Sequence, residues 1–382
     1  MTDVGIVMPV YKQKTRFLQA ALRSILNQRY RNYKLIIVID GTTANVVQTV
    51  RKMTRLDSRV KIISYRVNKG TSHALNTGFH VLINNPNIRY LTWVSSDNIY
   101  FPNYIDMLRT SLVNAPSHTG FVYSNSYMIN NNGKSIHTPA RLNLIRQWRG
   151  QPIENLINTC FIGASFMYRK SVAVEVGDYR HTPVEDYDYW LRVTERCGTI
   201  YLPIELMKYR VRSPFSMSRK LATSKLFLRQ KKYISQLIRL EARERRRIYP
   251  EVTVLLTSAA SSNEIERLSG ILNQTHHNLI CIVIDQTPNM VLHPIVTNMP
   301  DPRVQYVSMP SASDREVMMK AREMIYSPYA MFYSSHIPLP TEYLTNELNV
   351  NMLLAQDTPE QPLFNQLYQT HKLFELMVAR FY

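Results

Sequence analysis

Residues 89–107 read RYLTWVSSDNIYFPNYIDM, and this stretch decides the fold prediction. An apolar run from Tyr90 to Val94 predicts a strand, a polar turn with a single acid, Asp97, follows it, and the chain leaves through Pro102 into a predicted helix. Open α/β sheets bind ligands at the carboxyl ends of their strands, so a carboxylate here is placed to hold a divalent cation or a sugar hydroxyl. Taken alone, the stretch fits an ordinary turn equally well, because Ser, Asp and Asn are common turn residues.

Three further strands are predicted before this stretch. The apolar runs Val4–Val10, Lys34–Ile39 and Val60–Ser64 have the length and composition of buried parallel strands. Helix-spaced apolar residues lie between them, at 17–26 and 46–53. Strands that alternate with helices in this way form a parallel sheet with right-handed crossovers.

The composition indicates a globular protein of more than one domain. The chain has 382 residues, of which 45% are hydrophobic. Cys160, Cys197 and Cys281 are odd in number and far apart, which argues against a disulfide framework or a zinc site and fits a reducing compartment. The amino terminus lacks the pattern of a signal peptide, and no apolar run reaches membrane-spanning length. We therefore expect a cytoplasmic protein.

The net charge of +18 favours anionic partners. Half of it comes from residues 219–247, which contain eleven Lys or Arg and two Glu, with apolar residues at helical spacing. Such a segment is either a solvated helix whose apolar stripe packs on the preceding domain, or a docking element for an anionic membrane or polymer surface. Nucleic acid is a less favoured partner, because no recognition motif accompanies the charge.

Five segments, in this order and spacing, resemble the nucleotide-binding half of family-2 glycosyltransferases with the GT-A fold, and the spore-coat polysaccharide type is the nearest relative suggested. They are IVMPVYKQ at 6–13, SILNQRY at 24–30, LIIVIDGT at 35–42, NKGTSHALNTGF at 68–79 and TWVSSDNIYFPNYI at 92–105. The acceptor half of the family is similar to NTCFIGASFMYR at 158–169 and GDYRHTPVEDYDYWLRV at 177–193.

The resemblance implies a donor site for a nucleotide-diphosphate sugar. The residues that it assigns to the nucleotide are Pro9, Val10, Tyr11, Asp40, Lys69, Ser96 and Asp97. Asp97 is also the implied ligand of a divalent cation, Mn²⁺ or Mg²⁺, which prefers hard oxygen ligands. Two departures stand out: Ser96 occupies a position where the family usually has a second acid, and Arg212 stands where many relatives have a His near the metal. An Arg there could pair with the diphosphate directly.

The resemblance also implies an acceptor site, with Asp186 as the catalytic base. Glu185 beside it would raise its pKa, and an inverting transfer needs a carboxylate to take the proton of the acceptor hydroxyl. The same acids also suit a helix start, and both descriptions can hold together. Gly163, Ala164, Glu185 and Trp190 are the remaining implied acceptor residues; the small ones also fit close packing, and Trp190 also fits the core.

After Pro250 the sequence begins again. VTVLLTS at 252–258 echoes VGIVMPV at 4–10, and ILNQTHHNLICIVIDQT at 271–287 echoes ILNQRYRNYKLIIVIDGT at 25–42. In this alignment Asp285 keeps the place of Asp40, whereas His336 replaces Asp97. We expect a degenerate second GT-A-like repeat that serves structure or partner binding, and the carboxyl-terminal segment could also pair two subunits.

These observations predict an α/β protein with three parts: a GT-A glycosyltransferase domain at 1–218, a basic helical connector at 219–249 and a degenerate GT-A-like domain at 250–382. The expected function is an inverting glycosyltransferase of surface or spore-layer polysaccharide assembly. The alternative is a catalytically weak or inactive relative that acts as a scaffold for polysaccharide or protein partners. Ser96 and Arg212 favour the alternative, whereas the retained acids oppose it.

Overall fold

The structure is a computed structural model that describes residues 2–216, 219, 223–257, 263–333, 339–353 and 367–381. It divides into two compact units, Met1–Ser235 and Gln236–Tyr382. The boundary falls inside a single helix, α8 Lys225–Arg245, within the segment 219–249 that the sequence predicts as a connector. None of the described helices is long and apolar enough to cross a membrane.

Unit 1 is built on an eight-stranded mixed sheet with the order β3-β2-β1-β4-β7-β6-β8-β5. Its strands are β1 Val4–Val10, β2 Tyr33–Asp40, β3 Val60–Tyr65, β4 Tyr90–Trp93, β5 Ile99–Tyr100, β6 Thr119–Ile129, β7 Phe166–Arg169 and β8 Gly198–Arg210. Strands β1 to β4 run parallel to one another, and β7 pairs antiparallel with β4 and β6. The carboxyl ends of the four parallel strands therefore meet at one edge of the sheet, as the sequence predicts.

Seven helices of unit 1 surround this sheet. They are α1 Thr15–Leu26, α2 Ala44–Thr54, α3 Thr71–Ile83, α4 Tyr104–Val113, α5 Pro139–Arg149, α6 Lys170–Val176 and α7 Glu185–Val193. Helix α3 packs very close to β1, because Gly78 brings its backbone against Val7. A Cβ added at Gly78 would lie 2.5 Å from Cγ1 of Val7, so a larger residue would push α3 away from the sheet.

Unit 2 has the same strand order as the first part of unit 1. Its sheet runs β11-β10-β9-β12-β13, from β9 Val252–Thr257, β10 Leu279–Asp285, β11 Val304–Ser308, β12 Tyr329–Tyr333 and β13 Tyr368–Gln369. The first four are parallel and β13 is antiparallel. The helices are α9 Glu264–Leu272, α10 Leu292–Asn298, α11 Asp314–Met324, α12 Tyr343–Leu353 and α13 Thr370–Phe381. The predicted α/β fold of GT-A type, with a second α/β domain, is confirmed.

Each unit contains a glutamine that makes the same pair of side-chain hydrogen bonds. Gln28 donates to the main-chain carbonyl of Phe101 (2.7 Å) and accepts from the main-chain N–H of Ile105 (3.1 Å). In unit 2, Gln274 makes the matching bonds to the carbonyl of Pro340 (2.7 Å) and the N–H of Leu344 (3.0 Å). The two glutamines that the sequence alignment pairs therefore make the same kind of contact, and a second, degenerate repeat stays a prediction. The predicted counterpart of Asp97, His336, lies outside the described residues.

Candidate active site

Asp40 ends β2, and its buried carboxylate holds the loop that leads into α3. Oδ1 accepts a hydrogen bond from the main-chain N–H of Lys69 (2.8 Å). Oδ2 accepts from the main-chain N–H of Gly70 (2.9 Å) and from the side-chain amide of Asn68 (2.8 Å). The carboxylate expected to hold a nucleotide thus has three donors from the protein itself, and it sets the position of the loop.

The other residues predicted to bind the nucleotide differ in how exposed they are at this edge of the sheet. Val10 is fully buried and its side chain belongs to the core, so a contact with the nucleotide, which stays a prediction, would have to come from its main chain. Pro9 and Tyr11 on either side of it are half-buried. The main-chain carbonyl of Tyr11 accepts from the Thr42 hydroxyl (3.1 Å), which joins the ends of β1 and β2. Lys69 is exposed, with its ammonium 4.8 Å from the centre of the Tyr65 ring.

Asp97 lies in the turn after β4 and is only 7% exposed. Its Oδ1 accepts from the hydroxyl of Ser95 (2.7 Å) and its Oδ2 from the hydroxyl of Ser213 (2.8 Å). Arg210 donates from Nε to the main-chain carbonyl of Asp97 (3.1 Å) instead of pairing with the carboxylate. Ser96 beside it is also buried. The turn after β4 and the loop after β8 are therefore joined at one buried carboxylate.

Arg212 lies in that same loop, one residue before Ser213. Its backbone adopts a positive φ of 52°, and its side chain is exposed. The main chain on each side is fixed, since Arg210 donates its N–H to Oδ1 of Asn98 (2.9 Å) and Ser213 holds Asp97. An exposed guanidinium on an anchored loop beside Asp97 is compatible with the predicted contact to a diphosphate.

The groups around Asp97 fit a hard divalent cation. A buried carboxylate and the two hydroxyls of Ser95 and Ser213 offer the oxygen ligands that Mg²⁺ and Mn²⁺ prefer. In the part of the chain that the structure describes, no cluster of three His, Cys, Asp or Glu ligands includes Asp97. A cation held here would therefore complete its coordination with oxygens of a diphosphate and of water.

Two incompletely hydrogen-bonded acids open α7. Oε2 of Glu185 and Oδ1 of Asp186 are buried and lack a hydrogen-bond partner among the described residues. Burial raises the pKa of both carboxyl groups, and the charge of Glu185 raises the pKa of Asp186 further. The Trp93 indole at the end of β4 lowers that pKa by a smaller amount, although its N–H does not reach hydrogen-bond geometry. Asp186 is therefore a stronger base than an ordinary Asp.

The start of α7 is fixed to the first half of α3. Asn76 exchanges two hydrogen bonds with the main chain of Tyr179, at 3.0 and 2.8 Å, and the hydroxyls of Ser72 and Thr182 lie 2.7 Å apart. Since α3 follows the loop that Asp40 holds, Asp40 and Asp186 are connected through one continuous set of contacts. Both sides of the predicted site thus lie at the same edge of the sheet.

The predicted acceptor residues do not all reach this site. Trp190 is 1% exposed and packs against Phe166 and Phe121, with ring centres 4.4 and 4.9 Å away. Its assignment to acceptor binding is therefore wrong, because the indole is enclosed in the core. Gly163 and Ala164 are half-buried in the segment before β7, where Gly163 lies against the guanidinium of Arg149.

The comparison with protein families identifies this part of the chain. Residues 5–177 match the model described as glycosyl transferase family 2. The match covers slightly less than half of the chain. The matched segment contains Asp40 and Asp97 and ends before Glu185 and Asp186.

Curated relatives share the glycosyltransferase half. An uncharacterized glycosyltransferase of Rickettsia conorii is 28% identical over 201 residues, covering 50% of this chain and 31% of that protein. The UDP-Glc:alpha-D-GlcNAc-diphosphoundecaprenol beta-1,3-glucosyltransferase WfgD of Escherichia coli is 25% identical over 193 residues, covering 50% of this chain and 69% of that protein. Among solved structures, S. aureus TarS 1-349 in complex with UDP-GlcNAc gives a TM-score of 0.46 at 14% identity, covering 64% of this chain and 72% of that chain.

Several residues of the candidate site could not be recognised in the sequence. Tyr209, at the end of β8, is one: burial raises the pKa of its phenol to about 12, the charges of Asp97 and Asp186 add to this, and Arg149 opposes it. The phenol of Tyr209 therefore lies within electrostatic reach of Asp97, of Asp186 and of the buried Arg149. Trp93 and Ser213 were also missed. Both adjoin residues singled out in the sequence, and only their side-chain directions reveal them.

Proposed function

We propose that this chain is an inverting glycosyltransferase that moves a sugar from a nucleotide-diphosphate donor to a hydroxyl group of a carbohydrate acceptor. The observation that carries the proposal is Asp186, whose buried Oδ1 lacks a hydrogen-bond partner among the described residues. Its raised pKa suits proton abstraction, and it lies near Trp93, at the edge of the sheet where Asp97 follows β4.

In the proposed reaction, Asp186 takes the proton of the acceptor hydroxyl as that oxygen attacks the anomeric carbon of the donor sugar. The new bond forms on the face opposite the diphosphate, whose bond to the anomeric carbon breaks, so the configuration inverts. The electron pair of the broken bond leaves with the nucleotide diphosphate. Proton and leaving group therefore depart on opposite sides of the sugar ring.

The donor side would stabilise the charge of the leaving group. Asp97 would hold a Mn²⁺ or Mg²⁺ ion, which neutralises negative charge on the diphosphate when it is bound. Arg212, exposed on the loop anchored at Ser213, supplies a permanent positive charge with forked donors for the same group. The Asn68 to Gly70 loop, held by Asp40, would form the nucleotide-side wall together with Pro9 and Tyr11.

The acceptor that we propose is a sugar of a surface polysaccharide. Support comes from the name of the Escherichia coli relative, which describes transfer to a sugar on diphosphoundecaprenol. A role in spore layers and a cytoplasmic location stay predictions.

We also propose that the basic segment 219–247 docks the enzyme on an anionic surface. Residues 220–222 of this segment lie outside the described residues. In α8, Leu226 is 78% exposed and Leu228 is exposed near it, alongside the exposed basic side chains Lys225, Arg229 and Lys232. Exposed leucines among cations are the composition that binds the interface of an anionic membrane. Pairing of two copies of the chain stays a prediction.

Calorimetric titration of the purified chain with UDP, GDP and TDP, with and without Mn²⁺, tests the proposed function. We expect one nucleotide to bind in a Mn²⁺-dependent way, and Asp97→Ala to abolish that dependence. Asp186→Asn is the matched control, because it alters the acceptor side and leaves the nucleotide ligands in place. If no nucleotide binds, the scaffold alternative replaces the enzyme proposal, and the search turns to polysaccharide or protein partners.

A further inference from the structure

Arg149 is a buried cation on the acceptor side of the site. It is the last residue of α5 and is only 6% exposed. Its Nη1 donates to the main-chain carbonyl of Ser124 (3.1 Å), and its buried Nε lacks a partner in the described part of the chain. A guanidinium carries five N–H donors, so most of its hydrogen-bonding capacity is unused by the protein.

Among the described residues, no acid forms an ion pair with Arg149. Glu205 lies close enough to influence it, but both Glu205 carboxylate oxygens accept from Arg146, at 2.9 and 2.7 Å. Burial accordingly lowers the pKa of the Arg149 guanidinium. Placing a charge in the interior without a partner is costly, and an apolar residue of similar size would avoid that cost. The buried guanidinium of Arg149 would therefore be stabilised by an anion bound from outside the protein.

A second buried polar side chain lies next to it. Asn125 is 1% exposed, and neither Oδ1 nor Nδ2 reaches hydrogen-bond geometry with a partner among the described residues. The phenol of Tyr201 is close enough for Asn125 to lower its pKa, although the two side chains do not form a hydrogen bond of good geometry. It stands where the β6 to β8 pairing shifts register, on both sides of Asn125. Such an irregularity redirects a side chain away from the regular sheet alternation. Because Arg149 bonds the carbonyl of Ser124, the two unsatisfied groups are neighbours.

Both groups adjoin the segment expected to line the acceptor. A Cβ added at Gly163 would lie 2.6 Å from both Nη1 and Nη2 of Arg149, so the guanidinium lies directly against this glycine. Ser124 donates its N–H to the carbonyl of Ser165 (2.9 Å), and the two hydroxyls are 2.5 Å apart. The 163–165 segment and the irregular part of β6 at Asn125 are therefore hydrogen-bonded to each other next to Arg149.

From this arrangement we infer that the acceptor pocket contains an oxyanion subsite, in which Arg149 and Asn125 bind a negatively charged group of the acceptor. The inference rests on the proposed function, and it specifies the acceptor class: a sugar that carries a phosphate or a carboxylate. Planar forked donors suit both groups. The donor diphosphate of the proposed function is a separate anion, for which Asp97 and Arg212 on the loops after β4 and β8 are the proposed partners.

Binding of simple sugars to the full chain tests the subsite. The chain, loaded with UDP and Mn²⁺, is titrated in parallel with glucose, glucose 1-phosphate and glucuronic acid. We expect at least one charged sugar to bind tenfold or more tightly than glucose; the phosphate and carboxylate arms tell which group is preferred. Arg149→Met should abolish the preference while the affinity for UDP stays unchanged. Arg141→Met, at an exposed arginine of the same helix, is the matched control.

Two further readouts separate binding from a structural role. Arg149→Met should leave the melting temperature equal to or above that of Arg141→Met, since it removes an uncompensated buried charge. Gly163→Ala should weaken the preference as well, because its Cβ displaces the guanidinium. Equal binding of the three sugars, a preference that survives in Arg149→Met, or marked destabilisation by that variant would overturn the inference. If UDP itself does not bind, the proposed function is refuted instead. The preference for charged sugars can then be measured without UDP, and it still tests whether the oxyanion subsite exists.

Discussion

The substitution Asp40→Asn separates two roles for the acid that ends β2. The structure gives its carboxylate three donors, the main-chain N–H groups of Lys69 and Gly70 and the amide of Asn68. Asparagine offers one acceptor oxygen in place of two, so whichever way its amide turns, at least one donor of the loop faces an NH₂ group. The perturbation is therefore local, conservative in size and specific for hydrogen bonding.

The expected magnitude follows from these contacts. A hydrogen bond to a charged acceptor contributes about 1.5–3 kcal/mol, and the remaining bonds lose their charge assistance, so the free energy of unfolding should fall by about 3 kcal/mol. Urea unfolding followed by tryptophan fluorescence measures this, because Trp93, Trp148 and Trp190 all belong to unit 1 and are the only tryptophans. Asp106→Asn, at an acid in the first turn of α4, is the control and should change stability by less than about 0.5 kcal/mol.

The reasoning fails if Asp40→Asn is as stable as Asp106→Asn but no longer binds a nucleotide. That result would mean that the carboxylate contacts the ligand directly and that the loop is held by other forces. A loss of stability accompanied by weaker nucleotide binding, in contrast, is what displacement of the 68–70 loop predicts.

Three further predictions concern catalysis and docking. Asp186→Asn should slow sugar transfer by about 100-fold or more without changing nucleotide affinity, and an unchanged rate would reject it as the base. Transfer should be lost as pH falls through the raised pKa of Asp186. Glu185→Gln should move this acid limb of the kcat/KM profile to lower pH, because it removes the like charge that raises the pKa of Asp186. An acid limb that stays at the same pH in Glu185→Gln contradicts the coupling of the two acids. Replacing Lys225, Arg229 and Lys232 by Gln should weaken binding to phosphatidylglycerol vesicles by about 100-fold, from about 1 kcal/mol per charge. The same change at three exposed basic residues around the end of α2, Arg51, Lys52 and Arg55, should have little effect.

The sequence was sufficient to predict the sheet and the edge at which the site forms. Apolar runs marked the parallel strands, and the acids that follow them, Asp40 and Asp97, were placed by the rule that such strands end together. The repeated segments also predicted that unit 2 would follow the same strand order. These features depend on local pattern and chain order, which a sequence contains.

Side-chain partners could not be predicted in the same way. Ser213 is 116 residues from the carboxylate that it contacts, and no pattern in the sequence connects them. Val10 and Trp190 adjoin site residues, yet both side chains point into the core, because pleat and helix direction decide which face they occupy. Arg149 was missed because charged residues are usually exposed, and its burial follows only from the packing of α5 against β6 and Gly163.

The two units of this chain can be compared with each other, contact by contact. Arg59 donates to the carbonyl of Leu26 and pairs with Asp57, and Arg303 repeats both contacts with Leu272 and Asp301. Positions retained in both copies are those that the architecture needs whether or not a reaction takes place. Asp40 is among them, since the carboxylate of Asp285 at the matching strand end likewise binds its own chain, at the N–H groups of Thr287 and Leu292. No adjacent pair of acids like Glu185 and Asp186 occurs among the described residues of unit 2, so features that only unit 1 has are candidates for residues kept for chemistry.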